Sequence, residues 1–302
     1  MPRGCAGVLT GIQKRIHFMR SDICAIRLLD CRTPFSTPSD WEISVMTVKE
    51  REIFSSLTAV PPVVVRLDGR AFHTLTAELR LEKPYDTRFN EAMCRVCEMI
   101  VGESGLEPDF AYTFSDEISI FFSTLPFNGR VEKIDSVAAS YAAAAFGLVM
   151  GLSKPASFDS RIVMLSGEPS VIAEYFSWRQ KEAWRNHMNA YCQHALITEG
   201  MTPQKAAKAL DGAKSAAMHE MMHERGINLS KTPSWQRRGT IIFREEYVKT
   251  GYNPVEKVEV QTPRRRIARD EDLPLFSEEE GVKYLQNLIA KGKDWADKKT
   301  RL

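Results

Sequence analysis

Two groups of residues in this chain have types and spacings that can do chemistry. The first is "HEMMH" at 219–223: His219 and His223 stand one helical turn apart, with Glu220 beside the first. Two such histidines share a helix face and can bind zinc, and the adjacent glutamate can act as a general base. The spelling extends to Gly226, as in the longer metzincin pattern, but Leu229 stands where that pattern needs a third histidine. The other protease route uses a distant glutamate on a second helix; Glu245 and Glu246 lie at a tolerable distance but follow a strand-like segment. A catalytic zinc takes three protein ligands and a water. The alternative is two partly exposed histidines on a surface helix, and zinc proteolysis is the weakest reading of the chain.

The second group is carboxylic. Asp68 ends the apolar run "VVVRLDG", and Asp116 and Glu117 lie in the turn of "DFAYTFSDEISIFF". If these runs are neighbouring antiparallel strands, residues nearly fifty apart meet at one rim of a sheet. Two carboxylates there can hold a pair of Mg²⁺ ions, which prefer hard oxygen ligands and leave positions for phosphate oxygens. A two-ion site stabilises the attacking and leaving oxygens of a phosphoryl displacement. Gly69 allows close backbone approach, so its carbonyl is a further candidate ligand. The turn amides of "RAFH" (70–73) can cradle a triphosphate, and Lys83 is a candidate triphosphate contact. Asp-Gly and Ser-Asp-Glu are equally ordinary turn chemistry, so the pattern leaves both readings open.

The elements that would position these residues follow from periodicity and punctuation. Three valines after a Pro pair predict a strand buried on both faces. Helices are expected over 86–104 and 130–151, two strands over 109–122, and another strand over 157–165. The order β-α-β-β-α-β is the ferredoxin-like arrangement, an α+β antiparallel sheet. Ser170 is a candidate cap for a long helix ending at Gly200. Thr202-Pro203 opens another helix, and a third runs from about Lys214 to Glu224. "RRGTIIF" (237–243) reads as a late strand, "PRRRIARDEDLP" as a solvated linker, and 278–292 as a short amphipathic helix. Residues 1–45 lack periodicity and form a poorly patterned extension; translation starting near Met46, at a helix over "MTVKEREIFSSL", is the expectation. The domains expected are then that extension, a catalytic unit over 46–255 and a tail over 256–302.

Composition bounds the rest. The 302 residues are 43% hydrophobic and 26% charged, with a net charge of +2. That suits a globular core and requires any polyanion to bind a local patch. No apolar run is long enough to span a bilayer, and no secretory leader is evident. Six scattered cysteines, with Cys94 and Cys97 one helical turn apart, suit small core residues in a reducing cytoplasm.

Taken together, "VVVRLDGRAFHTL", "KPYD", "FSDEISIFF", "FDSRIVML", "YFSWRQKEAWRNHMNAY", "GMTPQKAAKALDGAKSA" and "GINLSKTPSWQRRGTIIF" are collinear over about 46–245. They resemble the tRNA(His) guanylyltransferase family and its guanylyltransferase-like relatives. The resemblance implies a polymerase-palm domain with additional long helices that adds nucleotides in the 3′-to-5′ direction. A nucleoside triphosphate, ATP or GTP, activates the tRNA 5′-phosphate. The 3′-hydroxyl of an incoming GTP then attacks it, and pyrophosphate is removed afterwards. It implies metal ligands at Asp68, the Gly69 carbonyl and Asp116, with Glu117 supporting them. Nucleotide contacts are implied at Asp68, Gly69, Arg70, Ala71, Phe72, His73, Ser115 and Asp116, and Lys83 holds a triphosphate. Arg179, Lys181, Arg185, Arg237 and Arg238 are candidate tRNA phosphate contacts. A homotetramer is expected.

Eukaryotic members carry "HINNLYN" after "SWRQ"; here Trp184 stands at their histidine, and His187 lies three residues on. This resembles the archaeal and bacterial branch, whose members often prefer to repair 5′-truncated tRNAs by templated addition, and it leaves open addition of a single G to tRNA(His) against templated addition. Two other classes share parts of the pattern: a palm-type nucleotide cyclase, which needs no tRNA, and a non-catalytic tRNA-binding module. The long "SWRQKEAWRNH" helix disfavours the first, and the intact carboxylate set disfavours the second.

Overall fold

A computed structural model describes residues 52–253 and 258–300. The extension over 1–45, the proposed start at Met46 and Cys5, Cys24 and Cys31 lie outside the described residues. Of the helix expected from Met46, residues 52–56 are bend and turn.

Strand β1 (Val63–Gly69) illustrates how sequence becomes geometry. Val63, Val65 and Leu67 join one apolar cluster, while Val64 joins another on the opposite face. Side chains alternate across a strand, so Arg66 and Asp68 share the face of Val64. Helix α1 (Phe72–Glu78) follows directly, then α2 (Thr87–Glu103), β2 (Phe110–Phe114) and β3 (Glu117–Phe122). Helix α3 (Val131–Met150) and β4 (Phe158–Met164) complete the unit. The strand order β4-β1-β3-β2, with antiparallel pairs throughout, is the ferredoxin-like order expected.

Helices α2 and α3 cover one face. Asp86 caps α2, its carboxylate accepting from the Arg88 backbone N–H at 2.8 Å. Cys94 and Cys97 are fully buried on α2, and burial pushes both thiols up, Cys94 to about 12. They are packing residues. Helix α4 (Pro169–Thr198) covers the other face and opens on Pro169 at its first turn. Ser170 therefore lies inside the helix, because proline with its fixed φ takes the opening position instead. The far half of α4 packs with α5 (Pro203–Leu210) and α6 (Ser215–Glu224) into a separate helical cluster.

The C-terminal third departs from expectation. Arg237 and Arg238 end a short helix, α7 (Ser234–Arg238), and Gly239 at φ 78 separates it from the strand. Strand β5 runs much further than 243, from Thr240 to Asn253. The stretch read as a solvated linker is strand β6 (Val258–Asp270), paired antiparallel along β5. The sheet thereby gains two strands beyond β2. Beyond the sheet proper this ribbon is exposed on both sides, so it shows no polar-apolar alternation for sequence reasoning to detect. Helix α8 (Glu279–Thr300) is longer than expected, and its Leu285 and Leu288 enter the core beside α4. Among the described residues no helix is long and apolar enough to cross a membrane.

Candidate active site

The pairing of β1 with β3 sets Asp68 opposite Glu117 and so brings Asp116, in the turn before β3, to the end of β1. The Gly69 N–H donates to the Asp116 carbonyl at 3.1 Å, locking the two rims together. A Cβ at Gly69 would sit 2.7 Å from the Phe72 ring, so the close turn from β1 into α1 requires glycine. Ser115 holds a left-handed backbone, φ 51, and its hydroxyl donates to the Asp116 carboxylate at 3.2 Å.

Burial is the main force raising the Asp116 carboxyl above the usual range, and repulsion from Asp68 adds to it. Two of the nearby cations are engaged with other carboxylates, Arg161 with Asp159 at 2.5 Å and Arg179 with Glu117 at 2.6 Å, while His73 opposes the rise at Asp116. Two hard oxygen ligands that repel one another, with a backbone carbonyl alongside, fit a divalent cation of the Mg²⁺ type.

The expected residues separate into distinct groups. Asp68, Gly69, Ser115 and Asp116 come together. Glu117 does not join them as a free carboxylate. It opens β3 rather than sitting in the turn, is 7% exposed, and accepts both Nε and NH2 of Arg179. Arg179 is therefore buried under the site and is no exposed phosphate contact. In the loop after Gly69, the Arg70 N–H bonds the Ser157 carbonyl at 2.9 Å. The amides of Ala71, Phe72 and His73, where α1 opens without intrahelical partners, are those left to meet a phosphate. Lys83 is exposed, with Nζ 3.4 Å from the Thr76 hydroxyl, which donates to the His73 carbonyl. Its loop is pinned by Asp86, which accepts the Glu82 N–H at 2.8 Å.

Lys181, Arg237 and Arg238 line one cleft of about 320 Å³ with Trp184. Arg237 and Arg238 also bond the carbonyls of Thr232 and Leu273. Arg185 lies apart, in a cleft of about 780 Å³ between α4, α5 and α6. Sequence reasoning missed Arg66 and Trp178, whose side chains meet over the same sheet face as Asp68. The alternation of β1 was the available signal for Arg66.

The zinc pattern does not assemble. Among the described residues no three His, Cys, Asp or Glu side chains converge as metal ligands. The His219 ring lies 5.6 Å from Trp184, which stacks on His187 at 5.3 Å. His187 is fully buried, with Nε2 3.0 Å from the Thr232 hydroxyl. Burial lowers its pKa to about 4. The unfolded chain protonates this histidine below its ordinary value of about 6.5, while the folded one refuses the proton. The stability this contributes is complete above pH 6.5 and is lost as pH falls toward 4. The loss expected is about 3 kcal/mol. Urea unfolding at pH 7 and pH 4.5 checks it: His187→Gln should lose less than the wild type between these values, and an equal loss would contradict the assignment.

Comparison with known proteins adds the following. A model described as tRNAHis guanylyltransferase (Thg1) matches residues 45–166, and the Thg1 C terminal domain matches 170–280. A probable tRNA(His) guanylyltransferase of Dictyostelium discoideum is 34% identical over 205 residues, covering 62% of this chain and 77% of its own length. A bacterial tRNA(His) guanylyltransferase (Thg1)-like protein solved in complex with ATP superposes with a TM-score of 0.64 at 28% identity, covering 80% of this chain and 96% of that one. A second structure so described, in complex with GTP, gives a TM-score of 0.58 at 27% identity with the same coverage.

Proposed function

The chain belongs to the tRNA(His) guanylyltransferase family, and from that premise we propose that it is a nucleotidyltransferase extending the 5′ end of tRNA in the 3′-to-5′ direction. The observation that carries the reading is the meeting of Asp68 and Asp116 at one sheet rim, where the Gly69 N–H bonds the Asp116 carbonyl. Relatives described as binding ATP and GTP support both as substrates.

Asp68, Asp116 and the Gly69 carbonyl would hold Mg²⁺, two ions in this reading. When bound, these ions neutralise phosphate charge and polarise the phosphorus under attack. The chain's own residues supply position. The 71–73 amides and Lys83 grip a triphosphate, and Lys181, Arg237 and Arg238 take tRNA phosphates. The Arg179–Glu117 pair fixes the start of β3 and hence the aim of Asp116. In this order the tRNA 5′-phosphate is activated by ATP or GTP. The 3′-hydroxyl of GTP displaces the activating nucleotide, and pyrophosphate is then removed. Residues 46–255 with the 256–302 segment form the working unit, and the homotetramer and cytoplasmic setting expected of the family belong to the same proposal.

Trp184 bears on substrate choice. Its ring packs on His187 and His219, so no histidine stands free where the eukaryotic pattern has one. We infer the repair type of addition. The test uses two 5′-monophosphorylated substrates, tRNA(His) lacking its extra 5′ guanosine and a tRNA missing its first paired nucleotide, with Mg²⁺, ATP and labelled GTP. Extension of both, or mainly of the truncated tRNA, is expected. Extension of tRNA(His) alone would overturn the repair type. A cyclic product from GTP alone would overturn the tRNA reading itself.

A further inference from the structure

Helix α4 buries Tyr175, Phe176, Ser177, Arg179 and Gln180, yet Trp178 in their midst is 46% exposed. A large rigid ring left in water at a site of this kind needs a reason. The indole is also held in place. Tyr175 meets it edge-on at 5.9 Å, and the guanidiniums of Arg179 and Arg66 lie 4.4 and 5.4 Å from its centroid. Arg179 is itself clamped by Glu117. An aromatic surface already immobilised loses little freedom when a flat ligand stacks on it.

The surroundings select that ligand. Arg66 precedes Asp68 by two residues on the same face of β1, so Trp178 stands one rung in from the carboxylates. The Arg66 Nε is buried without a hydrogen-bond partner, and an unmatched donor on a guanidinium favours an anionic acceptor. Arg161 lies opposite Arg66 in register on edge strand β4, where Asp159 pairs with it at 2.5 Å, so Arg66 is the cation left beside the ring. An aromatic platform among cations is the arrangement that binds single-stranded nucleic acid: bases stack, phosphates pair. The triphosphate turn at 71–73 lies beyond the strand end, past Asp68, which leaves this interior stretch to the other substrate.

We propose that Trp178 is a stacking platform for the terminal base of the RNA strand whose 5′ end reacts, with Arg66 beside it meeting that strand's phosphate. The inference rests on the tRNA-extending reading above. Stacking is tolerant of base identity, so the platform accepts any terminal base.

Trp178→Leu and Trp178→Phe in the full chain test it, with a 5′-monophosphorylated truncated tRNA. The leucine variant should raise KM for RNA on the order of tenfold or more, leave KM for GTP and Tm close to wild type, and be largely rescued by phenylalanine. Anisotropy of labelled RNA without nucleotides should show the same weakening of Kd. A raised KM for GTP with unchanged RNA affinity would overturn the proposal in favour of a nucleotide contact. Unchanged RNA Kd in the leucine variant, with or without a lower Tm, would overturn it outright. A wild type that extends no tRNA would sink the functional reading, while the anisotropy would still judge the platform.

Discussion

Asp116→Ala should lower nucleotide addition by on the order of a thousandfold or more, the scale seen when a group that stabilises transition-state charge is removed. It should not lower stability. The Asp116 carboxyl is held above its usual range by burial, with Asp68 repelling it. For a carboxyl raised in the folded state, stability is complete below the unfolded value and is lost as pH rises through the folded one. At neutral pH the ionised Asp116 therefore works against folding, and alanine removes that cost. Single-turnover extension and a melting curve at pH 7.5 check the pair of effects: lost activity with an equal or higher Tm. Retained activity would remove Asp116 from the site, and a collapse in Tm would make it a structural residue.

Arg179→Ala should produce the largest stability loss, about 3–5 kcal/mol, as expected when one partner of a buried ion pair is removed. Glu117 and Arg179 are 7% and 8% exposed and joined by hydrogen bonds of 2.8 and 2.6 Å. Burial already pushes Glu117 up, and the guanidinium opposes it. Without Arg179 the carboxylate is buried alone. The deficit should therefore shrink as pH falls and Glu117 takes a proton, and Arg179→Ala/Glu117→Gln should be more stable at pH 7 than Arg179→Ala by itself. Denaturant titrations of the three proteins at pH 7 and pH 5 decide this. A deficit independent of pH would mean that the pair is not the source. Because β3 begins at Glu117, the same variant should also slow extension in conditions where it remains folded.

Much of the palm was legible along the chain because its signals are local. The "VVVRLDG" run carries its own burial pattern, Asp86 and Thr202 announce helix starts, and Gly151 ends α3. The meeting of Asp68 and Asp116 was legible too, since β1 and β3 neighbour each other in any β-α-β-β-α-β sheet. The role of Arg179 was not legible. On a helical wheel it is one more cation among Lys181 and Arg185, and only the packing of α4 on β3 turns it inward against Glu117. HEMMH failed for the complementary reason: its spacing is local, but a zinc site needs a third ligand, and tertiary structure put Trp184 beside His219 instead.

The sequence by itself determined the local conformations, the order of the elements and the pair of carboxylates at their rim, because each depends on neighbours within a few residues or on a fixed topology. The tertiary structure alone decided which charges are exposed and which are paired, where Trp178 lies, and that 258–270 is a strand. The charges and Trp178 depend on contacts between residues tens of positions apart, the strand on pairing along β5 that its own pattern does not announce, and a side chain's chemistry is set by what faces it.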